Sequence, residues 1–290
     1  MMEFSKAERN RCKIKLALQG ASGSGKTYSA LLIAFGLTGD WSKIAVLDSE
    51  NGSAHLYSHL GGYYVLNMAS PFSPEKYVEA IKTGVEKGFQ CLIIDSLSAE
   101  WNGSGGILDV HSNIPGNSFT AWAKVTPRHN AFIQSILQSD IHVIATMRSK
   151  TEYLMQEKNG KQVPEKVGLK AVQREDTEYE FTVVMELNQR HQATISKDRT
   201  GLFVNRPELI LSAEIGKEIA SWCSSVSVTS SCSREIPPPK EQTFEDLINA
   251  CETVDALAVL YNDYPEQQAM HRDVFVRRKN QISSMILNLV

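Results

Sequence analysis

Continuous apolar runs, rather than alternating ones, dominate the first two thirds of this chain. Residues 43–48, 88–95 and 141–147 are almost wholly apolar, and the first two close on a carboxylate, Asp48 and Asp95. Such runs predict strands buried on both faces of a parallel sheet. Residues 13–19 read as a strand preceding a Gly-rich turn, and the apolar stretch 28–37 as the helix after it. Pro127 suits the first turn of a helix running to about 139, with Ala131, Ile133, Ile136 and Leu137 on its apolar face. Residues 181–187 and 191–196 read as two further strands. Strands and helices in this alternation predict an α/β fold with a doubly wound, mainly parallel sheet.

Two stretches break the pattern. From 149 to 170 the periodicity disappears, and Asn159-Gly160 inside it reads as a hairpin turn. A connection this long is usually functional or disordered. Residues 224–242, with a Ser cluster and Pro237-Pro238-Pro239, have the composition of a linker. Beyond it, Thr243 can cap a helix bearing Phe244, Leu247, Ile248 and Cys251 on one face, with Asp246 at the capping-box position. A second helix spans about 254–262 and ends before Pro265. A longer one then sets Val274, Phe275, Ile282, Met285 and Ile286 against the basic group Arg272, Arg277, Arg278 and Lys279, a group that suits solvated surface as well as binding. The predicted organisation is a core over 1–223 with an N-terminal arm at 1–12, a linker at 224–242, and a small helical C-terminal module at 243–290.

Composition narrows the classes. At 290 residues and 42% hydrophobic, the chain suffices for one large α/β domain and a small appendage. A net charge of −3 excludes a globally basic nucleic-acid binder but leaves room for a local basic channel. Cys12, Cys91, Cys223, Cys232 and Cys251 are odd in number and show no C-x-x-C spacing, which argues against a zinc site or a disulfide framework. A reducing cytoplasm is the expected compartment. No apolar run is long enough to span a bilayer, and the N-terminus lacks the apolar core of a signal peptide.

The chemistry centres on Gly20-Ala21-Ser22-Gly23-Ser24-Gly25-Lys26-Thr27, which meets the P-loop pattern G-x-x-x-x-G-K-[ST] at every fixed position. Gly20, Gly23 and Gly25 let the backbone turn its N–H groups toward a triphosphate, with Ser22, Ser24 and Tyr28 beside them. Lys26 reaches the β- and γ-phosphates, and the Thr27 hydroxyl can ligate Mg²⁺. Asp95 ends a Walker B strand and would hold the same metal. Many ATPases of the AAA+ type carry their catalytic Glu directly after this Asp, whereas here Ser96 follows. The expected water-activating base is therefore Glu50, with Glu100 as the fallback. Thr146 or Arg148, at the end of the 141–147 strand, could sense the γ-phosphate.

Further candidates are less specific. Lys150, Lys158, Lys161 and Lys166, with Tyr153 available to stack, suit contact with a nucleic-acid backbone or a solvated hairpin. Trp101 and Trp122 could stack on bases or anchor a core. Lys197 and Arg199, separated by one residue at a strand end, could clamp phosphate or fill a turn. Phe4 and Ala7 form an F-x-x-A tetrapeptide on the arm.

Together these motifs resemble the RecA-like ATPases, and more narrowly the short phage-encoded RecA-like proteins of recombination and single-strand annealing. In RecA proteins a strand ending Asp-x-Glu supplies the catalytic glutamate, and an aromatic seven positions on stacks against adenine. Here Asp48-Ser49-Glu50 is followed by Tyr57, and Asp95-Ser96 matches their Walker B ending. The resemblance implies ATP and Mg²⁺ as ligands, and Lys197 and Arg199 as cations reaching a neighbouring subunit's γ-phosphate. It also implies Phe4 and Ala7 as a tether in a homo-oligomeric filament or ring, and single-stranded DNA as a partner. Location in a host cytoplasm follows for a phage protein. The C-terminal helices match no assignable module and could recruit a single-strand-binding, replication or recombination protein. Ala54 stands where RecA has an adenine-contacting Asp, and the segment between Asp95 and Pro127 does not align. A hexameric DNA helicase and a nucleotide-dependent switch with little turnover remain open on the same ATP site.

Overall fold

The structure is a computed structural model describing residues 9, 12–158, 161–225, 244–251, 253–268 and 270–287, without the side chains of 151–169, 246 and 284–287. It divides into two compact units, residues 1–226 and 227–290. The first is built on a sheet of strands β1 (Lys15–Gly20), β2 (Ile44–Asp48), β3 (Tyr64–Asn67), β4 (Cys91–Asp95), β5 (His142–Lys158), β6 (Lys161–Ala171), β7 (Val183–Leu187), β8 (Gln192–Asp198) and β9 (Leu209–Ile210). Its order is β3-β2-β4-β5-β1-β7-β8-β9, with β6 paired to β5. From β3 to β7 all pairings are parallel, and β8 and β9 close one side antiparallel.

The helices of this unit are α1 (Lys26–Thr38), α2 (Pro74–Glu86), α3 (Ser98–Asn102), α4 (Ile107–Ser112), α5 (Ser118–Gln138) and α6 (Ala213–Ser224). They cover both faces because the strands are apolar on both. Leu16 and Leu18 point into one core with Leu31 of α1 and Ile219 of α6. Ala17, between them, joins the opposite core with Tyr77 of α2 and Phe132 of α5. α1 and α6 meet backbone to backbone: a Cβ at Gly36 would strike the Ala213 carbonyl, and one at Gly216 the Ile33 carbonyl. The fold is thus the doubly wound, mainly parallel α/β architecture that the apolar runs predict.

Two expectations change. α5 begins at Ser118 behind an Asn117 cap and carries Pro127 in its interior rather than at its start. Pro127 and Ala123 both lie on the exposed face, where water can take the carbonyl that proline leaves without a donor. The aperiodic stretch after 148, expected as a long connection holding a hairpin turn, is regular paired strand from its first residues. β5 runs on past the sheet and pairs antiparallel with β6 alone from Ser149↔Ala171 out to Lys158↔Lys161, so the predicted Asn159-Gly160 turn falls outside the described residues. Main-chain pairing in such a two-stranded ribbon does not need the continuous apolar run of a central strand.

The second unit contains α7 (Phe244–Ala250), α8 (Val254–Asp263), α9 (Pro265–Gln268) and α10 (Arg272–Leu287), with Ile248, Leu257, Phe275 and Ile282 forming its core. Among the described residues no helix is long and apolar enough to cross a membrane.

Candidate functional site

The carboxyl ends of β1, β2 and β4 lie beside the point where β5 leaves the sheet at Arg148, and together with the loops after them they border a cleft of ≈ 560 Å³. The loop after β1 turns sharply because Gly23 and Gly25 adopt φ of +78° and +88°, a region that favours glycine. Gly25 caps α1 in this conformation. Gly20 is restricted by space instead: a Cβ there would lie 2.6 Å from the Leu187 carbonyl oxygen and from Ser24 Oγ. The loop therefore delivers α1 to the cleft by its N-terminus, where the first-turn N–H groups lack intrahelical partners and the helix dipole favours an anion.

Lys26 follows at once. Its ammonium donates to the carbonyls of Gly20 (2.9 Å) and Ala21 (2.8 Å). Burial lowers its pKa, against the pull of the Asp95 and Glu50 carboxylates. Thr27, one residue on, donates its hydroxyl to Asp95 Oδ2 at 2.7 Å, and Ser53 Oγ lies 3.4 Å from the same oxygen. Asp95 is 2% exposed. Burial raises its pKa, while hydrogen bonds from Thr146 and Thr27 work the other way.

Glu50 reaches the cleft because the buried Asp48 carboxylate ties down the chain on either side of it. Asp48 Oδ1 accepts the Glu50 N–H and Oδ2 accepts the Ala54 N–H, both at 2.7 Å. Arg148 then takes both oxygens of Glu50: Nε donates to Oε1 at 2.8 Å, and a terminal nitrogen donates to Oε2. Ser96 Oγ adds a third donor to Oε1 at 2.6 Å. Burial alone would raise the Glu50 pKa, but the hydrogen bonds from Arg148 and Ser96, with the charges of Arg148 and Lys26, bring it below the ordinary value. At the mouth, Tyr28 and Tyr57 meet edge to face with centroids 5.7 Å apart.

The cleft brings together Ser22, Gly23, Gly25, Lys26, Thr27, Tyr28, Glu50, Tyr57 and Asp95. Other predicted residues lie elsewhere. Ser24 is fully buried behind the loop, its hydroxyl without a partner among the described residues. Thr146 is fully buried too and donates to Asp95 Oδ1 at 2.5 Å, so it props the carboxylate from beneath instead of facing the cleft. Glu100 is not in the cleft: it is buried against His129 Nδ1 at 3.1 Å, which removes it as fallback base. Lys197 and Asp198 pair with Val184 and Val183, at the opposite edge of the sheet from the loop after Gly20, and Arg199 follows them. Lys197 donates to the Tyr179 carbonyl, and Arg199 is exposed. Lys150 is exposed at the foot of the ribbon. The side chains of Tyr153, Lys158, Lys161 and Lys166 lie outside the described residues, as do Phe4 and Ala7.

Five cleft residues carried no signal we used, among them Ser29 and Ser53. His191, at φ +61° in the turn between β7 and β8, sets Nδ1 3.1 Å from the Ser24 carbonyl oxygen, and Ile210 and Leu211 close the far wall. A model of the AAA domain family matches residues 12–211, more than half of the chain. The chain belongs to that family. It is an AAA-type P-loop ATPase, the class that binds and hydrolyses nucleotide. No curated protein matches it. Within this AAA domain the residue after the Walker B Asp is a serine that hydrogen-bonds Glu50, and among the described residues the carboxylates lining the cleft come from neighbouring strand ends, Glu50 after β2 and Asp95 at the end of β4.

Proposed function

We propose that this AAA domain hydrolyses ATP with Glu50 as the base, and that it works as a RecA-like assembly on single-stranded DNA in phage recombination, repair or replication. The observation that carries the hydrolytic part is the convergence of Lys26, the Thr27–Asp95 pair and Glu50 on one cleft at the carboxyl edge of the sheet. The donor set fits a hard divalent cation: a hydroxyl and a carboxylate already 2.7 Å apart, with a second hydroxyl, Ser53, beside them. Thr27 and Asp95 would hold Mg²⁺, which supplies charge neutralisation to the phosphate oxygens when bound.

The chain's own residues do the rest. Lys26 exchanges two carbonyl partners for phosphate oxygens. Tyr28 and Tyr57 offer aromatic faces to the base. Glu50 orients and deprotonates water, which requires a free oxygen, and Arg148 must let go of at least one before it acts. Lys197 and Arg199 sit far from their own cleft, so the phosphate they reach belongs to a neighbouring subunit. The DNA part is supported by continuity: the strand that bears Arg148 in the cleft runs without a break into the lysine-bearing ribbon.

The test is ATP hydrolysis with and without single-stranded DNA at low and moderate salt, with particle size measured in each condition. Stimulation with growth into filaments or rings is the expected result. Turnover without stimulation or assembly would overturn the DNA reading and favour a nucleotide-dependent switch, and unwinding of a forked duplex would favour a helicase.

A further inference from the structure

A second cleft, of ≈ 660 Å³, lies at the foot of the ribbon. One wall is aromatic. Trp101 of α3 and Trp122 of α5 are half-buried, with ring centroids 5.9 Å apart and planes only 22° from parallel. His111 of α4 backs Trp122 at 4.2 Å, and His129 meets Trp101 at 5.5 Å. The other wall is the foot of β5 and the end of β6 with the chain beyond it, where Lys150, Lys170 and Arg174 border the opening. Lys170 pairs with Glu175, and Arg174 donates to Asn130 Oδ1 at 3.2 Å.

The floor is rigid and connected to the ATP site. Glu100, fully buried, is bonded to His129, and Gln173 donates to the Leu97 carbonyl at 3.0 Å. Burying a carboxylate is unfavourable without such partners, so this network fixes α3 against α5 and the strand leaving the ribbon. Ser98, on the same short helix as Trp101, accepts the Arg148 N–H at 3.0 Å. Arg148 is the residue that holds Glu50.

Paired indoles beside the exposed Lys150 and the half-buried Arg174, with Glu175 and Asp176 further along the rim, are complementary to an unpaired nucleobase carrying a phosphate. An apolar ligand would have to desolvate Lys150 and Arg174 at the rim without replacing their water, and duplex DNA keeps its base faces stacked inside. We infer that the Trp101–Trp122 cleft is a stacking site for the bases of single-stranded DNA, with Lys150 and Arg174 taking flanking phosphates. This rests on the single-stranded DNA reading above and gives it an address. Stacking on aromatic side chains is tolerant of base identity, so the site would track a strand without reading its sequence.

The experiment measures binding of the full chain to a labelled oligonucleotide and to an abasic oligonucleotide of the same length and charge. Trp101→Ala, Trp122→Ala and their Phe counterparts are compared, each checked for retained ATP binding. The intact strand should bind wild type about tenfold or more tightly than the abasic one. Either Ala variant should abolish most of that difference and leave the salt slope alone, while the Phe variants keep it. Lys150→Ala or Arg174→Ala should instead reduce the salt slope by about one. Equal binding of intact and abasic strands by wild type overturns the stacking site while leaving the DNA reading intact, and needs no variant to fold. Equal affinity for duplex also overturns it. Absence of binding to either strand at low salt overturns the DNA reading itself, and the site with it.

Discussion

At the carboxyl edge of the sheet, the ionisable groups open on a cleft: Thr27 and Thr146 hold Asp95, Arg148 and Ser96 hold Glu50, and Lys26 donates to the Gly20 and Ala21 carbonyls. At the amino edge they are closed in by their partners. Lys15, 5% exposed, gives its three ammonium protons to the Ser139 carbonyl, the Ser139 hydroxyl and the Ile141 carbonyl at 2.8, 2.8 and 2.7 Å. His142 accepts the Ile14 N–H at Nδ1, 3.1 Å away, and Cys91 beside them has its pKa pushed up to about 12 by burial. Both edges contain perturbed ionisable groups, so perturbation alone does not mark the site. What separates them is exchangeability. Lys26, also held by two main-chain carbonyls, lines a cleft and can be handed to a ligand, as can the bonds of Thr27 and Arg148, whereas Lys15, 5% exposed, is closed in by the groups that hold it.

The contrast predicts that substitutions at the carboxyl edge change turnover and those at the amino edge change stability. The largest expected effect breaks the division by joining two subunits. Lys197→Ala/Arg199→Ala should lower turnover by about 10³–10⁵, the range for a trans-acting cation in phosphoryl transfer. Mixing those subunits with Lys26→Ala subunits should restore some activity, and no rescue at any ratio contradicts catalysis in trans.

Next is Lys15→Ala, which strands buried carbonyls and leaves a void. A loss of about 2–4 kcal/mol in stability is expected with KM for ATP unchanged. A changed KM with an unchanged melting temperature would move Lys15 into the site.

A pH slope comes last, because only part of it falls within the pH range measured. Burial, helped by the nearby Lys13 and Lys15 charges, lowers the His142 pKa from 6.5 to about 4. Between these values the unfolded chain binds a proton that the folded chain refuses. The contribution is therefore complete above pH 6.5 and is lost as pH falls to about 4, roughly 3 kcal/mol in all. His142→Asn keeps an acceptor for the Ile14 N–H and does not titrate. Its melting temperature should fall less than wild type's between pH 7 and pH 5, and parallel curves would refute the assignment.

The same contrast explains what the sequence disclosed. Residues 20–27, Asp95 and Glu50 are each announced locally, by a glycine pattern or by a carboxylate ending an apolar run, and the runs also imply the parallel sheet. Contacts between distant positions are not announced. Arg148 and Glu50 meet only because β5 and β2 flank β4, and His191 approaches Ser24 only because β7 lies beside β1. Thr146 sits one pleat below Met147, and that alternation turns it toward Asp95 beneath the cleft. The α2 helix had a legible signal that we did not use, a Ser73-Pro74 start followed by buried Tyr77, Ala80, Ile81 and Gly84. Pro127 misled because its helix starts nine residues earlier, at Ser118, and tolerates it on the wet face.

The account's central claim is that Glu50, not a residue following Asp95, activates water in this cleft. Turnover of ATP by Glu50→Gln, measured beside ATP binding by the same preparation, tests it most directly. The account predicts turnover lower by about 10²–10⁴ with ATP still bound. Turnover near the wild-type rate would contradict it.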